Sequence, residues 1–121
     1  VTKQTVYIAA PYTLGDVAVN VRRAIQAADE LVEAGFIPYV PHLTHFWHIV
    51  SPKLWDFWLE LDLCFLLKCD CVLRLNGESK GADREVEIAN KAQIPVYHSV
   101  SEIVPARDKH RKEHGKDKEG K

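Results

Sequence analysis

Short apolar runs alternate along this chain with longer stretches of helical period, and that alternation restricts it to a layered α/β fold. Val6-Tyr7-Ile8-Ala9-Ala10 is ended by Pro11 and reads as a buried first strand. From about Gly15 to Ala34, Val17, Val21, Ala24, Ala28, Leu31 and Val32 recur at helical spacing, and Gly35 follows where a left-handed cap is wanted. Phe36-Ile37-Pro38-Tyr39-Val40 is a short strand whose proline places it at a sheet edge. Residues 41–50 carry Pro41, three histidines and two aromatics with no clean period, which suits a loop. Ser51-Pro52 then announces a helix running to about Lys68, with serine as N-cap and proline in the first turn. That helix is apolar nearly all round, so one face is expected on the sheet and the other on a second subunit. Cys71-Val72-Leu73-Arg74-Leu75 makes a third strand, residues 81–93 a helix, and Pro95-Val96-Tyr97-His98 a last strand.

This order implies a parallel sheet of four or five strands with right-handed crossovers. Ligands of such sheets bind outside the carboxyl ends of the strands, where the loops after Ile8, Val40 and Leu75 are expected to converge. With 121 residues and 46% hydrophobic content, the chain fits one domain with a real core. The net charge of −1 divides unevenly: residues 107–121 hold seven Lys/Arg against four Asp/Glu, leaving nine against thirteen before them. Residues 1–104 therefore read as the domain, and 105–121 as a solvated, disordered tail. The tail's mixed charges argue against nucleic-acid binding. No apolar run is long enough to span a bilayer and no leader pattern opens the sequence, so a cytoplasmic protein without a membrane partner is expected. Cys64, Cys69 and Cys71 form neither a disulfide framework nor a zinc spacing, and read as reduced.

Two carboxylates stand out. In Gly81-Ala82-Asp83-Arg84-Glu85-Val86-Glu87-Ile88-Ala89, helical period places Glu85 beside Ala82, Val86 and Ala89, the buried stripe. An ionised carboxylate there costs several kcal/mol unless it is paired or used. Either Glu85 caps the first helical turn or it has a functional role. Asp62 interrupts an apolar helical stretch between Leu61 and Leu63, and is either hydrogen-bonded to an adjacent loop or a second working acid. A retaining displacement at a sugar carbon needs two such acids, about 5 Å apart in the usual glycosidase geometry.

Three separated motifs carry a resemblance: Tyr7-Ile8-Ala9-Ala10-Pro11-Tyr12 on the first strand, Asp62-Leu63 with Asp70 eight residues after the aspartate, and Ser79-x-Gly81-x-x-x-Glu85 entering a helix. In their order and spacing the chain resembles the nucleoside 2-deoxyribosyltransferase superfamily, including the related 2′-deoxynucleoside 5′-phosphate N-hydrolases. The resemblance implies that Glu85 attacks C1′ of deoxyribose, that Asp62 assists proton transfer and that Tyr7 steadies the nucleophile. It also implies no cofactor and no metal, a nucleoside or nucleotide and a free nucleobase as partners, and a homodimer or higher homo-oligomer.

Substrate contacts are expected from Ala10, Pro11 and Tyr12 in the first loop and from Ser79 and Gly81 at a helix N-terminus. His45 and Trp47 are expected against the base, with Trp55 or Trp58 at an oligomer contact. His42, His45 and His48, spaced by three, read as part of a loop lining the base pocket rather than as a metal site. The first loop lacks the serine and arginine of the mammalian nucleotide hydrolases, which favours a nucleoside, with Arg22, Lys80 or Arg84 as possible substitute cations. The expectation is a small three-layer domain of flavodoxin-like or Rossmann-like type that cleaves and transfers deoxyribosyl groups. Its rivals are a 5′-monophosphate hydrolase and a non-catalytic nucleotide-binding module.

Overall fold

The structure is a computed structural model that describes residues 3–119. Its elements follow in the order β1 (Thr5–Ala9), α1 (Val17–Glu33), β2 (Ile37–Tyr39), a 3-10 turn at Pro41–Leu43, α2 (Thr44–Val50), α3 (Trp55–Leu66), β3 (Cys71–Arg74), α4 (Lys80–Lys91), β4 (Val96–Tyr97) and α5 (Val100–Glu119). The four strands form one parallel sheet in the order β2-β1-β3-β4, with Val6 opposite Cys71 and Ile8 opposite Leu73. Pro38 lies on the edge strand β2, where its missing N–H leaves no gap in an inner ladder.

Strand alternation sorts the core into two halves. Val6, Ile8, Cys71 and Leu73 face α1 and α5, packing with Ala24, Ala28, Leu31 and Ile103. Tyr7, Ala9 and Val72 point the opposite way, toward Leu66 of α3 and Ala82 and Ala89 of α4. The result is three layers in a flavodoxin-like arrangement. The strand order reverses between β1 and β3, so the crevice beyond their carboxyl ends is the favoured ligand position. Helix α1 begins on Asp16, whose carboxylate accepts from Ala18 N at 2.9 Å and Val19 N at 3.3 Å, and ends before Gly35 at φ +93°.

Three expectations need correction. Residues 41–50 are mostly helical, because Pro41 opens a 3-10 turn that passes directly into α2. The next helix starts at Trp55 rather than after Ser51: the Ser51 N–H closes α2 on Trp47 O at 2.8 Å, and Pro52 keeps the residue before it extended. Residues 105–119 continue helix α5 rather than forming an irregular tail, with 108–113 exposed to solvent. Ile103 is buried, Arg107 lies 4.6 Å over the Phe36 ring and donates to the Ala34 carbonyl, and these contacts anchor the helix ahead of its charged run.

Candidate active site

Because Tyr7 sits on the face of β1 shared by α3 and α4, its side chain reaches Glu85 of α4. Tyr7 is fully buried, stacks on Tyr39 at 5.5 Å, and its hydroxyl donates to Glu85 Oε2. Burial and the adjacent Glu85 carboxylate push the Tyr7 hydroxyl far above its ordinary range, so it stays a donor. Glu85 is not a cap. Ser79 occupies that position, its Oγ accepting from Ala82 N at 3.1 Å, and Glu85 lies six residues further on.

Glu85 and Asp62 line one cavity of about 850 Å³. Burial raises Asp62 to about 7, and its Oδ1 is buried with no hydrogen-bond partner, so the loop hydrogen bond considered from sequence is not made there. Burial also raises Glu85 to about 7, opposed by the Tyr7 hydrogen bond, reinforced by the charge of Asp62 and opposed again by the Arg74 guanidinium. Both carboxyls are thus raised toward neutrality while facing one cavity. Near neutral pH such a pair can present one ionised and one protonated carboxyl to the cavity.

The walls come from the converging loops. Gly77, at φ +124°, lets the loop after β3 press on the loop after β1: a Cβ there would meet Pro11 Cγ at 2.7 Å. Arg74 fastens the same loop by donating to Leu75 O, to Gly77 O at 2.8 Å and to Asp83 Oδ1 at 3.0 Å. Asn20, buried on α1, donates through Nδ2 to Tyr12 O and Leu14 O, each at 2.9 Å. His42 Nε2 donates to Pro11 O at 2.9 Å and ties the 3-10 turn to the first loop. Burial lowers the pKa of His42, which favours the neutral ring, and its Nδ1 is buried without a partner. The hydroxyl of Tyr12 meets His45 Nδ1.

Of the residues expected from sequence, Ala10, Tyr12, His45, Asp62, Ser79, Gly81 and Glu85 all border the cavity. Tyr7 acts from behind Glu85. Pro11 is buried beneath the wall, and Trp47 packs on Phe57 and Trp58 instead of reaching the cavity, because α2 turns it toward α3. Trp55 and Trp58, expected at a subunit contact, line the cavity. So do His42 and His48, from helical segments rather than from a loop. Lys80 lines it as well, whereas Arg22 and Arg84 do not. Sequence reading missed Lys53, Asn20 and Arg74. The last two carried a signal, a polar residue on the apolar stripe of α1 and a charge closing an apolar strand. Asp70 lies at the other end of the sheet, its Oδ2 accepting from Thr5 N at 2.7 Å and Thr5 Oγ1 at 3.2 Å. Among the described residues, no group of three or more His, Cys, Asp or Glu is arranged to hold a metal ion, and no helix is long and apolar enough to cross a membrane.

Comparison with solved structures finds a similar fold in the 2-deoxyribosyltransferase of the psychrotolerant bacterium Bacillus psychrosaccharolyticus. The TM-score is 0.60 at 17% identity, over 76% of this chain and 69% of that one. No curated protein sequence matches the chain. A family model described as a domain of unknown function (DUF7768) matches residues 4–99, from the start of the sheet to the start of α5, and it is to this family that the chain belongs.

Proposed function

We propose that this protein cleaves the N-glycosidic bond of deoxynucleosides and transfers the 2-deoxyribosyl group to another base. The observation that carries the reading is the pair Glu85 and Asp62, both raised to about 7 by burial and both facing one cavity large enough for a nucleoside. The ionised Glu85 attacks C1′ as the bond to the base breaks, and the protonated Asp62 delivers its proton to the departing base. A second base then displaces Glu85 from C1′ and returns a proton to Asp62, so the acids finish as they began. Tyr7 holds the Glu85 carboxylate in place through Oε2 and leaves its other oxygen for the sugar. The likeness of fold to a 2-deoxyribosyltransferase supports the same reading.

Lys53 and Lys80 line the cavity and favour a second reading, hydrolysis of deoxynucleoside 5′-monophosphates by the same acids. Chromatography of deoxyinosine or deoxythymidine incubated with the protein, with and without adenine and beside the matching 5′-monophosphates, separates the two. A new nucleoside formed only with adenine supports transfer, and free base from the monophosphates alone supports the hydrolase. The absence of product in every mixture contradicts both and leaves a binding module. Glu85→Ala is expected to reduce base release by roughly 10³-fold or more.

The reading includes a homo-oligomer joined through α2 and α3. Ten of the fifteen exposed large apolar side chains among the described residues fall between Leu43 and Leu67, including Phe46 at 67%, Val50 at 85% and Leu54 at 81% exposure.

A further inference from the structure

His48 is held by contacts that the reaction above leaves unused. Its Nδ1 accepts from the Trp58 Nε1–H at 2.8 Å and from the Lys53 backbone N–H at 3.2 Å. Neither an indole N–H nor a backbone N–H can reverse its role, so Nδ1 carries no hydrogen and the ring's hydrogen sits on Nε2. The other two histidines of the cavity differ. His42 has its Nε2–H engaged by Pro11 O, and His45 faces the Tyr12 hydroxyl, which can donate or accept and so fixes no tautomer.

The place of this donor matters as much as its form. Trp58 lies four residues before Asp62 on α3, one turn or about 6 Å along the axis, and both line the cavity together with His48. The His48 and Trp58 rings meet edge to face at 5.7 Å and 71°.

We propose that His48 is a hydrogen-bond donor of fixed tautomer whose Nε2–H binds an acceptor on the nucleobase edge, a ring nitrogen or a carbonyl oxygen. The inference rests on the deoxyribosyl reading and adds to it a residue that recognises the leaving group. As the C1′–N bond breaks, electron density flows into the base and its acceptors strengthen, so a prealigned donor stabilises the departing base more than the bound nucleoside. A rotating hydroxyl or an imidazole of undetermined tautomer would have to reorganise to do the same.

The test joins a spectrum to a rate. In ¹⁵N-edited spectra near neutral pH, His48 is expected as the Nε2–H tautomer. Its Nε2 resonance is expected to move when Glu85→Gln protein is saturated with deoxyinosine or deoxythymidine. His48→Phe should lower kcat/KM for base release about tenfold, the weight of one neutral hydrogen bond, and His48→Gln, whose amide N–H can stand near the Nε2–H position, should recover most of it. Trp58→Phe leaves the Lys53 backbone N–H on Nδ1, so the Nε2–H tautomer should persist in that variant. Wild-type base release left unchanged by His48→Phe, or an Nε2 signal that does not respond to either nucleoside, overturns the proposal alone. Wild-type protein that releases no base overturns the underlying reading and the proposal with it.

Discussion

In the folded protein Asp62 keeps its proton up to about pH 7, whereas the unfolded chain releases it in the ordinary aspartate range near 4. The native state therefore binds the extra proton between those values, and stability falls as pH rises through that window. The penalty is complete above about 7 and absent below about 4. Asp62→Asn is expected to raise the stability of the fold by about 1–3 kcal/mol at pH 8, with the gain vanishing near pH 4, as followed by urea unfolding at both values. Base release should follow the same two acids and peak near neutrality, since Glu85 is protonated on the acid side and Asp62 ionised on the alkaline side. Tyr7→Phe removes a donor that favours ionised Glu85, so the acid limb of that profile should move to higher pH. Both carboxylates were legible in the sequence because helical period set them against apolar neighbours. What helical period did not reveal was the face of β1 that brings Tyr7 onto Glu85, or the tautomer of His48, which depends on Trp58 and on the Lys53 backbone N–H.

At the scale of elements, the β1, α1, β2 and β3 segments follow directly from apolar runs and their punctuation by Pro11, Gly35 and Pro38, whereas the strand order β2-β1-β3-β4 was not read from them. The stretch from Pro41 to Leu54 was not legible in this way, since a short helix without a buried stripe has no period to detect: α2 buries none of its residues. Ser51-Pro52 gave a helix-start signal that the chain satisfies differently, by ending one helix and spacing the next. The clamps that hold the cavity loops were legible only as oddities. Asn20→Leu strands the carbonyls of Tyr12 and Leu14 and is expected to lose about 1–2 kcal/mol while raising KM, because the first loop then loses its attachment to α1. Asp70→Ala, at the opposite end of the sheet, should cost about 1 kcal/mol through the Thr5 hydrogen bonds and leave kcat and KM unchanged. Thermal unfolding beside steady-state kinetics distinguishes the two positions.

For the molecule as a whole, one face carries the cavity and beside it an apolar surface built from α2 and α3. Of the twelve residues of α3, only Leu66 is buried. The all-round apolar character of that helix was plain in the sequence, and its exposed face is the one we propose a second copy covers. Leu54→Asp is expected to shift the protein toward monomer in sedimentation, and an unchanged sedimentation coefficient would remove this face from the interface. The composition of the last fifteen residues concealed α5, because the anchors Ile103 and Arg107 stand where the charged run begins. All of these parts serve one claim, that Glu85 becomes covalently bonded to a sugar. The most direct measurement is therefore mass spectrometry of the protein quenched during turnover of deoxyinosine or deoxythymidine, with peptide mapping of the adduct. One added deoxyribosyl group is expected on the peptide carrying Glu85, lost when adenine is supplied and absent from Glu85→Ala. Base release with full activity retained in Glu85→Ala, or a sugar attached to a different residue, would contradict that claim.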